Sequence, residues 1–198
     1  MRPLRRMLVA GMLLLGLAGC AEPDRKVDGE VPTAQSQQYL SQHERAEGLA
    51  AQQRLLADRV ASRQDYEASV DGLQRCLSTH GISLVNEGWN PVDQTSMMLW
   101  YRAPGKPDEY VAGYGDDCQS AYLSAVADEY RKSTESIMAP ELMTLTRNCL
   151  TAKGIEVRGT EKGMPDLLAS SDRHESVTTC VESGVNKLYP GIPVPVGW

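Results

Sequence analysis

The residues best suited to chemistry are five cysteines, and two of them begin the same short pattern. Cys-Leu-x-x-x-Gly-Ile starts at Cys76 and again at Cys149, and one more cysteine follows each copy, at Cys118 and Cys180. Four cysteines in an exported chain predict two disulfides and allow three pairings. A duplicated unit should keep its bridge within itself, so the repeat favours Cys76–Cys118 and Cys149–Cys180. Each bridge would stabilise the fold by about 3–4 kcal/mol.

Zinc is the competing interpretation of these four cysteines, and histidine could complete such a site. The chain contains no Cys-x-x-Cys pair, and we identify no second histidine or cysteine at ligand spacing from any histidine. We therefore expect no metal and no cofactor. His43, His80 and His174 are predicted to be solvated surface residues.

Acidic residues near the middle of the chain could bind a metal or cap a helix. Asp116 or Asp117 is predicted to cap a helix by accepting hydrogen bonds from its first N–H groups. With Asp108 and Glu109 they could instead line a weak calcium site, but no Asp-x-Asp-x-Asp-Gly loop supports one. No nucleophile elbow, P-loop or dinucleotide fingerprint occurs. The sequence therefore favours a protein that is not an enzyme.

The first twenty residues have the pattern of an export signal. Three arginines precede an apolar stretch over residues 7–18, which is shorter than the roughly 20 residues of a membrane span. The segment Leu17-Ala18-Gly19-Cys20 resembles a bacterial lipobox. The resemblance implies that Cys20 becomes the mature N-terminus and carries a thioether-linked diacylglycerol with fatty acyl chains such as palmitate. An ordinary secretory signal with a chance cysteine is the alternative.

The charge balance narrows the classes of partner. The signal segment holds three of the 20 basic residues and none of the 26 acidic ones, so residues 20–198 have 17 basic against 26 acidic residues, a net charge of −9. Such a chain lacks the cationic surface that nonspecific nucleic-acid binding requires, and it should not adhere to anionic lipid through its folded part. The acyl chains on Cys20 would anchor it to the membrane instead.

The helices and strands predicted around the cysteines indicate an α+β fold. We expect two related disulfide-stapled helix–hairpin–helix modules, preceded by a helix and a flexible tether. The segments are a signal peptide at 1–19, a tether at 20–38, an N-terminal helix at 39–64, module one at 65–136, module two at 137–189 and a proline-rich tail at 190–198. The N-terminal helix could pack on the modules or on another chain. Asp65 could start the helix of module one, although no capping box with Ala68 supports it.

Module one is predicted to run from a helix that ends at Gly81 into a hairpin and a second helix. Its strands should cover residues 82–85 and 95–102, where Met97 to Tyr101 could line an apolar pocket but more simply form a core strand. Residues 110–114 should be extended or irregular. The second helix should run from its aspartate cap to about Ser133.

Module two is predicted to be a shorter version of the same unit. Its first helix should begin at Pro140 and end at Gly154. Residues 155–158 alternate as a short strand does, and residues 167–169 are either its partner strand or a helical turn. The last helix should begin at Ser171 or Asp172.

The paired modules resemble small secreted lipoproteins of actinobacteria, whose helix–hairpin–helix units begin and end on cysteine. That resemblance implies an exported α+β module and no particular activity. We predict a lipoprotein on the extracytoplasmic face of the cell membrane that acts as a binding or interaction module toward a protein or cell-wall partner. Trp89 and Trp100, which lie in the longer hairpin of module one, are the predicted contact residues. The alternative is a cell-envelope hydrolase with an unidentified site.

Overall fold

The computed structural model describes residues 38–58 and 60–193, so the signal peptide, Cys20 and most of the tether lie outside the described residues. Within them the chain forms seven helices and one antiparallel pair of strands, and the predicted α+β class is confirmed. In order, the elements are α1 Gln42–Leu55, α2 Arg63–Thr79, β1 Ser83–Trp89, β2 Met97–Arg102, α3 Asp108–Tyr122, α4 Ser124–Ser133, α5 Pro140–Ala152, α6 Met164–Ala169 and α7 His174–Leu188.

Two apolar cores correspond to the two cysteine units. The first surrounds α2 and includes the fully buried Leu73, Leu77 and Val126. The second lies between α5 and α7. Each core contains one disulfide: Cys76–Cys118 in the first, with Cα atoms 5.8 Å apart, and Cys149–Cys180 in the second, with Cα atoms 5.6 Å apart. The predicted pairing is confirmed.

The repeated pattern encodes the same helix C-terminus twice. Gly81 and Gly154 have φ values of 71° and 69°, the left-handed backbone that glycine adopts without a steric penalty. In each copy the N–H of the isoleucine donates to the carbonyl of the leucine, at 3.0 Å from Ile82 to Leu77 and 2.9 Å from Ile155 to Leu150. The glycine N–H donates to the residue after that leucine, which completes a Schellman motif. The four recurring residues therefore form a disulfide and a helix end, and they need no functional explanation.

The first two helices begin with reciprocal caps. Ser41 and Glu44 form a capping box at α1, and Ser62 and Asp65 form a second one at α2. The expectation that no capping box supports the start of α2 was wrong, because Asp65 is the third helical residue rather than the cap. α1 runs from Gln42 to Leu55, so the observed helix is shorter at both ends than the predicted range 39–64.

The helices of module one begin and end at different residues from those predicted. α3 begins at Asp108, so residues 110–114 are helical and both Asp116 and Asp117 lie inside the helix rather than at its cap. The prediction failed because Asp108 and Glu109 occupy the first turn after Pro107, where negative charge stabilises a helix N-terminus. The predicted single helix to Ser133 is interrupted at Leu123, where α3 ends and α4 follows.

Module two has no hairpin among its described residues. Residues 155–158 form no strand, and α6 occupies the position of the predicted partner strand, as the helical alternative had it. The carboxylate of Glu161 accepts hydrogen bonds from the N–H groups of Arg158 and Gly159 at 2.7 and 2.8 Å. Those amides are therefore unavailable to a strand ladder. The last helix begins at His174, a few residues later than predicted.

The turn of the hairpin connects the two cores. Val92, at the tip, is buried in the second core. The carbonyl of Pro91 accepts from the N–H of Ala139 at 2.8 Å, and the carbonyl of Asp93 accepts from the N–H of Ile137 at 2.9 Å. The tip of the β1–β2 hairpin, which belongs to module one, is therefore fixed by contacts with module two.

Candidate functional site

Module one, which we also call the first unit, contributes residues to two candidate functional sites. We call Glu44, Cys76, His80 and Cys118 the bridge cluster. We call the side of the β1–β2 sheet that bears Val85 and Trp100 the outer hairpin face.

A close approach of α1 to α3 places Glu44 in the bridge cluster. A Cβ atom on Gly48 would lie 2.8 Å from the carbonyl oxygen of Ala121 and 2.8 Å from Cε2 of Tyr122. Any larger residue would push the two helices apart. This glycine permits the packing that brings α1 to the end of α2.

The bridge cluster contains a histidine that the sequence analysis assigned wrongly. His80 caps α2 one turn after Cys76, and its ring lies beside the Cys76–Cys118 bridge. One ligand atom from each of these three residues lies within 4.8 Å of the others. The side chain of His80 is only 15% exposed, so it is not a solvated surface residue. His43 and His174 are exposed, as predicted. The overlooked signal was Cys76-x-x-x-His80, a spacing that puts both side chains on one helix face.

The His80 ring is held by neighbours from two helices. The ring stacks on Tyr114 with ring centroids 4.1 Å apart. The backbone carbonyl of His80 accepts from the hydroxyl of Tyr110 at 3.1 Å. Nε2 lies 3.3 Å from Oε1 of Glu44, close enough for an ion pair with a protonated ring. Nε2 is nevertheless buried and has no aligned hydrogen bond. The hydroxyl and N–H of Ser41, together with His80, lower the pKa of Glu44, so this carboxylate stays ionised.

A surface cavity of about 280 Å³ reaches the bridge cluster. Its walls come from α1, α2 and the end of α3: Glu44, Glu47, Ala51, Arg54, Arg75, Cys76, Thr79 and Tyr122. Cys76 lines this cavity and is 7% exposed, whereas Cys118 is fully buried.

Asp117 has a structural role rather than a calcium-binding one. Asp117 accepts from the N–H groups of Tyr39 and Leu40 at 2.8 and 3.0 Å and pairs with Arg45 at 3.0 Å, which fixes the start of the described chain to α3. Asp108 lies nine residues before it on the same helix, about 13 Å along the axis. The two carboxylates therefore cannot share one ion.

Asp117 should make the fold sensitive to acid. Burial alone would raise its pKa, but the hydrogen bonds from Leu40 and Tyr39 and the charge of Arg45 lower it below its ordinary value of 3.8. A lowered pKa gives stability that is present above pH 3.8 and is lost as the pH falls through the folded-state pKa. We expect the difference in unfolding free energy between wild type and Asp117→Asn to shrink as the pH falls below that value, in urea titrations. The control is Asp116→Asn, because Asp116 is the exposed neighbour of Asp117. If the two variants showed the same pH dependence of the unfolding free energy, Asp117 would not be the source of the acid sensitivity.

The two tryptophans predicted as contact residues have different surroundings in the hairpin. Trp89 packs against Tyr66 and Tyr130, with ring centroids 5.0 and 5.4 Å apart, and the guanidinium of Arg63 covers its ring. It therefore belongs to the edge of the first core. Trp100 lies in β2 and pairs with Val85 of β1.

Alternation along β2 places Trp100 on the outer hairpin face. Leu99 and Tyr101, its neighbours in sequence, pack against the first core, so Trp100 points to the opposite side of the sheet. Met97 and Leu99 line a cavity of about 310 Å³ together with Tyr66, Gln119, Leu123 and other residues. The side of β2 that bears Met97, Leu99 and Tyr101 packs on the first core, and Met97 and Leu99 also line this cavity, as predicted for the strand. Trp100 does not line the cavity.

Within the described part of the chain, no helix is both long enough and apolar enough to cross a membrane. Comparison of the chain with models of known protein families, with curated proteins and with solved structures finds no match.

Proposed function

We propose that this protein is a lipid-anchored extracytoplasmic module that binds a partner in the cell envelope through the outer hairpin face. The observation that carries the proposal is the position of Trp100, partly exposed opposite Val85 on the side of the sheet turned away from the first core, next to the buried Met98. A large aromatic side chain beside a β-branched one supplies contact area at low entropic cost, and tryptophan is enriched among residues that dominate binding energy.

The surroundings of this face suit a binding site. Ser83 and Arg102 form the next cross-strand pair on this face and are exposed, so they place a polar rim beside the apolar pair. The loop that follows β2, residues 104–107, is also exposed. A partner with an apolar contact point and a polar or acidic border near Arg102 would fit this arrangement.

The hairpin is held at both ends, which favours binding without rearrangement. Its tip is fixed on the second unit through Pro91, Val92 and Asp93. Near its base, the hydroxyl of Tyr101 donates to Oε1 of Gln119 at 2.7 Å. Burial, with Asp116 nearby, raises the pKa of Tyr101 to about 12, so its hydroxyl keeps the proton that it donates. A pre-ordered face loses less entropy on binding, and this gives the second unit a role as a support.

The anchor rests on the sequence. The lipobox-like segment ending at Cys20 and the net charge of −9 over residues 20–198 both favour attachment through acyl chains rather than through a cationic surface. Attachment at the membrane would hold the outer hairpin face within reach of envelope proteins and cell-wall polymer.

The test compares Trp100 with an exposed apolar residue elsewhere. A photo-crosslinking amino acid placed at residue 100 should capture the same envelope partner that co-purifies with the wild type, and Trp100→Ser should weaken its capture about tenfold or more, a loss typical of a central contact residue. Val60, which is 56% exposed, supplies the matched control, and Val60→Ser should leave capture unchanged. Equal capture by both variants, or crosslinks from residue 60 but not from residue 100, would refute the assignment of the outer hairpin face.

A further inference from the structure

We propose that Cys76, His80 and Cys118 form a redox-controlled zinc site: the two cysteines are a disulfide in the oxidised protein, and after reduction by a dithiol the three side chains bind one Zn²⁺. The proposal concerns the bridge cluster and is independent of the binding role of the outer hairpin face.

The three side chains lie close enough together to converge on one zinc ion after the disulfide is reduced. The two sulfurs and a ring nitrogen lie within 4.8 Å of one another. Zinc bonds of about 2.3 Å to sulfur and about 2.0 Å to nitrogen require tetrahedral ligands roughly 3.5–3.8 Å apart. Three helix-borne residues thus need only small movements to reach those positions once the S–S bond is broken. Three protein ligands leave the fourth position of a tetrahedral ion open, as in zinc sites that bind water or substrate.

His80 has a neighbour of the kind that orients metal-binding histidines. Its Nε2 atom is buried without an aligned hydrogen bond, which is uncommon for a buried polar atom. The carboxylate of Glu44 stands 3.3 Å from the same atom. A metal-binding histidine commonly donates from its other ring nitrogen to a carboxylate, so with Nε2 facing Glu44 the nitrogen left for zinc is Nδ1.

The second unit serves as an internal comparison. It has the same disulfide, the same leucine and isoleucine contacts and the same glycine, but Lys153 stands at the position of His80. Lys153 is exposed and caps α5 with the same backbone bonds that His80 makes at the end of α2. The helix end and its bridge therefore do not require histidine.

The cavity beside Cys76 gives a reductant access to one sulfur. A thiolate of the dithiol attacks Sγ of Cys76, the S–S bond breaks, and Cys118 leaves as a thiolate that takes up a proton. The second thiol of the reductant then attacks its own sulfur in the mixed disulfide and releases Cys76, so two electrons pass from the dithiol to the protein. Binding of Zn²⁺ by the two thiols and His80 displaces two protons.

The test uses the full chain with Cys20→Ser, Cys149→Ser and Cys180→Ser, which leaves Cys76 and Cys118 as the two thiols. After reduction with a dithiol and removal of that dithiol, Zn²⁺ affinity is measured by competition with a chromophoric chelator, and Co²⁺ is added as a spectroscopic probe. We expect one equivalent to bind, with the thiolate charge-transfer bands of tetrahedral Co²⁺. His80→Lys, which copies the second unit, should weaken binding about 10- to 100-fold or more.

Two comparisons make the result decisive. A chain that keeps Cys149 and Cys180 but carries Cys20→Ser, Cys76→Ser and Cys118→Ser should bind Zn²⁺ at least about tenfold more weakly than the first chain, since it has Lys153 and no histidine at its bridge. If reduction unfolds the first chain, Zn²⁺ should restore its helical circular dichroism signal, and should fail to do so in His80→Lys. Equal affinity with and without His80, or equal affinity of the two thiol pairs, would overturn the proposal.

Discussion

Replacement of Gln52 by alanine should lower the free energy of unfolding by about 2–4 kcal/mol. The side chain of Gln52 is buried in α1, and its amide spans the break between α3 and α4. Its Nε2 donates to the carbonyls of Ser120 and Ala121 at 3.0 and 2.6 Å, and its Oε1 accepts from the N–H groups of Ala125 and Val126 at 2.7 and 3.3 Å. A methyl group would leave these groups without a partner, and an unsatisfied buried group costs about 1–3 kcal/mol.

The adjacent residue supplies the control for this prediction. Gln53 is the same residue type in the same helix and is exposed, so Gln53→Ala should change the stability by less than about 0.5 kcal/mol. Urea unfolding followed by circular dichroism measures both variants. If Gln52→Ala were no more destabilising than Gln53→Ala, the amide would not be what holds α1 to the α3–α4 junction.

Replacement of Cys20 by alanine should abolish lipidation of the chain. The proposed diacylglycerol is bonded to the sulfur of this residue, so alanine leaves no atom to accept it. The chain should then accumulate as unprocessed precursor or appear in the medium, and labelled fatty acid should no longer be incorporated. Cell fractionation with acyl-chain labelling measures both results.

The matched control for the anchor lies two residues away. Glu22→Gln leaves the segment Leu17-Ala18-Gly19-Cys20 intact, so it should be labelled and retained in the membrane like the wild type. Undiminished labelling of Cys20→Ala would exclude lipidation at this cysteine and would favour an ordinary secretory signal.

The features predicted correctly from the sequence are those that local chemistry determines. The disulfides followed from a duplicated pattern, and the helix ends followed from Gly81 and Gly154, whose backbone conformation few other residues adopt. Pro140 correctly marked the start of α5, because proline loses no hydrogen bond in a first helical turn. In these cases the residues that decide the structure lie within a few positions of the feature itself.

The failures arose where distant or competing contacts decide the structure. The alternation over residues 155–158 indicated a strand, but the carboxylate of Glu161 takes two of its amides and curls the loop. The environment of His80 depends on Glu44 and Tyr114, which come from two other helices. No local pattern reveals such contacts, although the spacing from Cys76 to His80 was visible and was overlooked.

Non-reducing peptide mapping of the protein extracted from membranes tests the account most directly. Trypsin should cut after Arg75, Arg102 and Arg131 in the first unit and after Arg147, Lys153, Arg173 and Lys187 in the second. The account predicts that the peptide starting at Cys76 is linked to the one containing Cys118, that the peptide containing Cys149 is linked to the one containing Cys180, and that the N-terminal peptide starts at an acylated Cys20. A peptide linking Cys76 to Cys149 or Cys180, or a mature N-terminus without acyl chains, would contradict the account of two units that each contain their own disulfide behind a lipid anchor.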